Sequence, residues 1–160
     1  MDTATALQKA EELLKPWIED TQKPFDDRLD ITIKAENFLI VIKSLLDAHW
    51  GYLSAITGVD RPAENADDGA VEVLYHMCED AAILTVRVYL PYKNPVIDSV
   101  CGLIPSATLY ERELIEMYGV TITNTPDTDH LLLPDGWPEG VYPLRKSFTG
   151  LNVPLKVNEE

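Results

Sequence analysis

The stretch from Ala81 to Leu90 constrains the fold more than any other part of the chain. Apolar residues occupy every second position, with polar or aromatic residues between them: Leu84, Val86, Val88 and Leu90 alternate with Thr85, Arg87 and Tyr89. Because successive side chains of a strand point to opposite faces, this stretch predicts a strand with one buried and one wet face. That pattern suits an antiparallel sheet backed by helices.

The other regular patterns predict the elements that complete such a sheet. Apolar residues at helical spacing predict three helices, at residues 5–17, 35–50 and 106–118. Four strands are predicted, at residues 28–34, 52–59, 70–77 and 81–90. Ser106 is the expected N-cap of the third helix, and Gly51 and Gly119 are the expected stops. We therefore predict an α+β fold, a small antiparallel or mixed sheet with helices on one face.

The composition changes after Val120. Prolines recur at five positions: Pro126, Pro134, Pro138, Pro143 and Pro154. They oppose regular elements, whereas the frequent leucine, tryptophan and tyrosine oppose disorder. We predict a globular α+β domain over residues 1–120 and an extended, proline-rich C-terminal tail over residues 121–160. The tail is expected to pack on the domain and on a partner subunit.

The charge balance narrows the choice of partners. The chain has 27 acidic and 13 basic residues, a formal charge of −14, which repels nucleic acid and anionic lipid headgroups. The longest apolar run near the middle, residues 38–42, is far shorter than the roughly 20 residues that cross a bilayer. We expect no nucleic-acid partner, and contact with a membrane only through partner subunits.

Residues typical of cofactor sites are scattered along the chain. Cys78 and Cys101 are too few for a disulfide framework or a zinc site, and we interpret them as buried, reduced thiols. His49, His76 and His130 form no pair at metal-ligand spacing. Phosphate-binding loops, CxxC pairs and nucleophile motifs do not occur in the sequence. We therefore predict no catalytic residue, no metal and no cofactor on this chain.

Charged residues concentrate in residues 110–120. Glu111, Glu113 and Glu116 lie within two helical turns of one another, and Arg112 lies among them. Arg112 and Glu116 are four residues apart, a spacing that places them on one helix face. The segment fits either a solvated, well-capped helix or an arginine that orders the carboxylates and the following loop by bidentate bonds.

A second dense segment covers residues 131–146. Trp137 and Tyr142 are large aromatic anchors of the kind that bury at interfaces. Arg145 and Lys146 are an adjacent basic pair in an acidic chain. The segment fits either a tail packed on its own domain or a docking strap that inserts the aromatics and the basic pair into a partner.

Taken together, these two segments resemble the respiratory-chain NADH dehydrogenase 30-kDa subunit family, which is part of bacterial complex I. The matching residues form three groups: Glu111, Arg112, Glu113, Met117, Tyr118 and Gly119, then Leu131 to Asp135 and Trp137, then Pro143, Leu144, Arg145 and Lys146. The resemblance extends over residues 28–148, and the order and spacing of the first and last groups make it specific.

The chain departs from the family pattern at residues 124–130. Asp129 and His130 stand where the family has paired arginines, and Glu116 stands where it has aspartate. We infer that the partner surface at this point differs from the usual one. The wording of residues 137–143 is more similar to the related subunits of membrane-bound, energy-converting nickel–iron hydrogenases. We therefore favour the hydrogenase-type branch over an NADH/quinone oxidoreductase subunit proper.

The resemblance implies a cofactor-free structural subunit in the peripheral arm of a membrane-associated electron-transfer complex. Such a subunit docks on the large catalytic subunit beside an iron–sulfur subunit, on the cytoplasmic side of the membrane. Iron–sulfur clusters, and nickel–iron in the hydrogenase branch, are held by the partner subunits. The expected interface and structural residues are Glu111, Arg112, Glu113, Tyr118, Gly119, Trp137, Tyr142, Pro143, Leu144, Arg145 and Lys146.

Two other classes stay open at this stage. One is a stand-alone enzyme that uses Glu111, Glu113 and Glu116 for acid–base work or metal binding. The first two lie two residues apart on a helix and point in different directions, which weighs against that class. The other class is an adaptor module unconnected with respiration.

Overall fold

A computed structural model describes residues 2–65 and 68–151. Three α-helices are present in these stretches: α1 (Thr3–Leu14), α2 (Phe38–Asp47) and α3 (Thr108–Tyr118). The strands are β1 (Asp20–Gln22), β2 (Arg28–Ile33), β3 (Tyr52–Arg61), β4 (Ala70–Glu79), β5 (Ala82–Pro91), β6 (Val96–Asp98) and β7 (Thr121–Thr123). Within the two stretches, each helix is too short or too polar to cross a bilayer.

Five strands form one mixed sheet in the order β1-β2-β5-β4-β3. The pair β2–β5 is parallel, and the other neighbours are antiparallel. The parallel pair requires a crossover, which the segment containing α2, β3 and β4 supplies. Strands β6 and β7 make a separate parallel pair. The predicted α+β class with a mixed sheet is confirmed.

One face of the sheet is apolar and carries the helices. The register brings Val73 opposite Val88 and Tyr75 opposite Val86, all of them buried. The ring of Phe38 from α2 lies 4.2 Å from that of Tyr75, centroid to centroid. Each such side chain contributes roughly 1.5–3 kcal/mol when fully buried. The alternation between residues 81 and 90 therefore predicted the buried face correctly.

The opposite face is polar and carries an ion network across three strands. Arg87 on β5 lies 2.5 Å from an oxygen of Asp30 on β2 and 2.8 Å from an oxygen of Glu72 on β4. Arg61 on β3 approaches Glu72 to 2.6 Å from the other side. Burial lowers the pKa of Arg87, but its bonds to the two carboxylates outweigh burial and leave that pKa raised. This wet face is thus a paired ionic layer.

Several predicted boundaries were wrong by a few residues. Helix α2 ends at Asp47, because His49 adopts a left-handed φ of 52° and Trp50 turns inward, where its indole N–H donates to the carbonyl of Ala6. Ser106 is not an N-cap: it lies in a short 3₁₀ turn, and no side chain caps α3. Gly119 does end α3, with a φ of 69°.

Candidate functional site

The C-terminal tail runs back along α3. Residues 121–123, predicted as part of the tail, form β7 and pair with β6, so we use "the tail" for residues 124–151. It has no helix or strand, as its prolines predict. Residues 152–160, the end of the predicted tail, lie outside the described residues. Ion pairs and main-chain hydrogen bonds fix the tail at two places.

Glu116 on α3 is the first of these attachment points. Its carboxylate accepts hydrogen bonds from three consecutive main-chain N–H groups, those of Leu131 at 3.0 Å, Leu132 at 2.8 Å and Leu133 at 3.3 Å. The His130 ring nitrogen Nδ1 lies 3.3 Å away. Burial raises the pKa of Glu116, but the three backbone bonds outweigh burial, so its pKa is lowered. The carboxylate is an anion that holds the tail.

Arg112 reaches the same part of the tail from one turn earlier. It donates to the carbonyl oxygens of Asp129 at 2.8 Å and His130 at 2.6 Å, and it pairs with the carboxylate of Asp127 at 3.2 Å. The predicted same-face pair between Arg112 and Glu116 does not form, because both side chains are occupied by the tail. Residues 127–130, which replace the family's arginine-containing stretch, supply these contacts.

The other two carboxylates of α3 serve different surroundings. Glu111 is buried and accepts bonds from the Ser99 hydroxyl at 2.8 Å and the Val100 N–H at 2.7 Å. It therefore orders the chain after β6 rather than the tail. Glu113 makes no hydrogen bond within the described residues. The three carboxylates do not share a cleft, so the arrangement gives no support to the carboxylate-enzyme alternative.

Arg145 forms the second attachment point. Its Nε donates to the carbonyl of Tyr118 at 2.6 Å, and Nη1 lies 3.7 Å from the buried carboxylate of Asp60. The guanidinium also lies 4.3 Å from the ring centroid of Tyr92, in a cation–π geometry. Lys146 contributes its main-chain N–H, which donates to Asp60 at 2.8 Å, while the residue is exposed. The basic pair is therefore divided between an inward and an outward member.

The two aromatic residues of the tail are half-buried and in contact with their own domain. The Trp137 indole donates to the carbonyl of Val141 at 2.7 Å and closes a loop within the tail. Tyr142 packs on Gly119, where a Cβ atom would lie 2.4 Å from the tyrosine ring. The glycine is therefore required twice, for its left-handed φ and for this close approach.

The outer surface of the tail presents apolar side chains. Leu132 and Leu144 are exposed, although their main-chain N–H groups bond inward, to Glu116 and to the carbonyl of Met117. Pro143 is half-buried beside them. The tail is thus attached through its main chain and through Arg145, which leaves these leucines and Lys146 directed outward.

A cavity of about 410 Å³ lies between α3, β7 and the tail. Its walls are mainly apolar and include Ile115, Ile122, Leu133, Trp137 and Val141. Glu116, Thr128, His130 and Glu139 supply polar atoms.

Within residues 2–65 and 68–151, no three His, Cys, Asp or Glu side chains converge as a metal site would require. Cys78 and Cys101 are free thiols, and Cys101 is buried. His76 bonds to threonines on the polar sheet face. That the chain carries no cofactor remains a prediction.

Replacing Arg112 with alanine should loosen the tail around residues 127–130. The variant loses two bonds to main-chain carbonyls and one ion pair, and charge-assisted bonds of this kind contribute about 1.5–3 kcal/mol each. We expect limited proteolysis after Gly119 to become faster. Lys43→Ala removes only an exposed ion pair on α2 and serves as the control. Equal cleavage rates in the two variants would contradict the role given to Arg112.

The fold and site define a small α+β subunit with a proline-rich tail clamped to its third helix. A model of the respiratory-chain NADH dehydrogenase 30-kDa subunit family matches residues 31–152. The chain belongs to that family, as its sequence motifs predicted.

Two relatives show how the matched segment is distributed. Formate hydrogenlyase subunit 5 of Escherichia coli is 35% identical over 120 residues, which are 75% of this chain but 21% of that protein. The C-type subunit of NADH-quinone oxidoreductase from Rhizobium rhizogenes is 36% identical over 124 residues, 75% of this chain and 60% of that protein. The chain therefore spans about a fifth of one relative and three fifths of the other.

A solved chain of the membrane-bound sulfane sulfur reductase, an archaeal respiratory membrane complex, has the same fold. The TM-score is 0.75 at 21% identity, over 90% of this chain and 85% of that one. The relatives are thus subunits of complex I and of membrane-bound hydrogenase complexes.

Proposed function

We propose that this chain is a cofactor-free structural subunit in the peripheral arm of a membrane-associated electron-transfer complex. It docks on the large catalytic subunit and positions that subunit against a neighbouring iron–sulfur subunit. Iron–sulfur clusters, and nickel–iron in a hydrogenase-type complex, belong to the partners. The chain meets the membrane only through these partners, on the cytoplasmic side.

The observation that carries this proposal is the unequal length of the relatives. The same segment is three fifths of a small, separately named NADH-quinone oxidoreductase subunit and about a fifth of formate hydrogenlyase subunit 5. A segment that is part of a longer chain in one protein is held beside the remainder of that chain. We therefore identify the docking partner as a protein similar to that remainder.

The tail supports the docking role. Its irregular main chain is held by Glu116, Arg112 and Arg145, which reduces the entropy that binding would otherwise cost. Its outward side chains, Leu132 and Leu144, are then presented in a fixed arrangement. Exposed leucines on a pre-ordered segment suit an interface core.

A matched pair of double variants tests this role in the full chain. Leu132→Asn with Leu144→Asn changes tail residues that are 64% and 47% exposed, and Phe25→Asn with Ile40→Asn changes residues that are 65% and 49% exposed elsewhere. The chain is co-purified with its co-expressed large subunit. We expect the tail variant to weaken the complex by about tenfold or more, and the control to leave it intact.

A truncation after Thr125 gives the stronger form of the same test. It removes the clamped tail but retains β7 and its pairing with β6. The truncated chain should fold and fail to retain the large subunit. Unchanged co-purification of this truncated chain would overturn the docking proposal.

The choice of branch remains a prediction. The hydrogenase and quinone-reductase relatives match at nearly equal identity, 35% and 36%. The wording of residues 137–143 favours the hydrogenase type. Nickel in the co-purified complex would support that branch, and a nickel-free complex that reduces quinone would support the alternative, an NADH/quinone oxidoreductase subunit proper.

A further inference from the structure

We infer that the cavity between α3, β7 and the tail is a socket for one large apolar side chain from a basic segment of the partner subunit. This inference rests on the proposed docking role, and it specifies which chemistry of the partner the chain recognises.

The size and walls of the cavity fit one inserted side chain. Its volume of about 410 Å³ is near the lower end of the roughly 300–1,000 Å³ typical of ligand pockets. Ile122 and Leu133 contribute aliphatic walls, and Trp137 contributes an aromatic one. Anchor side chains that dominate interface energies fill desolvated pockets of this kind.

The walls are already held in place. The N–H of Leu133 is bound by Glu116, and the Trp137 indole is bound to the carbonyl of Val141. Tyr142, at the far side, is packed on Gly119. A pocket whose walls are fixed before binding loses little entropy when it is filled.

The charge around the cavity selects a basic partner segment. From Glu113 to Leu144 the sequence has six acidic residues and neither lysine nor arginine. Glu116 bonds the tail and Asp127 pairs with Arg112. The other four make no ion pair within the described residues: Glu113, Asp129, Asp135 and Glu139. Complementary lysine or arginine beside the inserted side chain would offset their repulsion and steer the encounter.

A photo-reactive benzoylphenylalanine at Thr128, an exposed residue of the cavity wall, tests the socket in the assembled complex. After irradiation, mass spectrometry identifies the cross-linked peptide. We expect a partner peptide with an aromatic or large aliphatic residue next to lysine or arginine. Cross-links only within this chain, to a small molecule, or to a partner segment without basic residues would overturn the inference.

Two variants of the full chain give a quantitative test. Thr128→Trp should fill the cavity, and Asp135→Lys with Glu139→Lys should reverse the local charge. Each is expected to reduce the affinity for the co-expressed large subunit by about tenfold. Glu12→Lys with Glu36→Lys, exposed acids elsewhere, is the charge control and should have little effect. Urea denaturation verifies that every variant folds.

The outcomes separate this inference from the docking proposal. If truncation after Thr125 abolishes the complex but the socket variants bind normally, the socket is wrong and the docking role stands. If the truncated chain also binds normally, the docking role itself is wrong. If the socket variants alone lose affinity in proportion to cavity filling and charge, both hold.

Discussion

Replacing Arg145 with alanine is expected to lower the free energy of unfolding by about 3 kcal/mol. The Arg145 side chain is only 14% exposed and contacts the carbonyl of Tyr118, the carboxylate of Asp60 and the ring of Tyr92. Alanine would leave the buried Asp60 carboxylate without a cation, although it keeps the bonds from Tyr92 and Lys146. Urea denaturation at neutral pH measures the loss.

The adjacent residue provides the control for that experiment. Lys146 bonds to Asp60 through its main-chain N–H, so Lys146→Ala retains the contact and should change stability little. Arg145→Lys keeps the charge but loses the planar fork, and an intermediate loss is expected. Equal losses for Arg145→Ala and Lys146→Ala would show that the pair is not divided as the structure indicates.

Replacing Glu116 with glutamine should also cost about 3 kcal/mol. The charge that attracts three consecutive N–H groups disappears, and the new amide NH₂ faces donors instead of acceptors. The tail should then separate from α3, which hydrogen exchange at residues 131–133 would detect. Glu113→Gln, on the same helix but without a tail bond in the described residues, should leave exchange unchanged.

The same substitution predicts a pH dependence. The pKa of Glu116 is lowered on folding from its ordinary value of 4.5. A lowered carboxyl pKa contributes stability that is fully present above the unfolded value and is lost as the pH falls through the folded value. The wild type and Glu116→Gln should therefore differ most at neutral pH and converge in acid. A difference that stays constant into acid would contradict this assignment.

Local patterns in the sequence predicted most of the sheet and its helices. Strand β5 was predicted within one residue of each end, because its alternation is a local property that only a half-buried strand satisfies. The end of α2 was missed because a distant group decides it. Trp50 leaves the helix to donate to the carbonyl of Ala6, 44 residues away.

The polar sheet face shows the same division. The sequence marked Arg87 as facing water, which is correct for its strand alone. Its carboxylate partners, Asp30 and Glu72, come from strands β2 and β4, and only the register of the sheet brings them together. A parallel β2–β5 pair separated by more than 50 residues leaves no local signal for this network.

Motifs and periodic burial were enough to specify the family, the α+β class and the importance of α3 and the tail. The role of each motif residue, in contrast, depends on the folded chain. Arg145 and Lys146 are neighbours of equal charge, yet one guanidinium is held by Tyr118 and Asp60 while the lysine side chain faces outward. The two differ because the partners of a charged side chain lie far away in sequence, and only folding places them within hydrogen-bond distance.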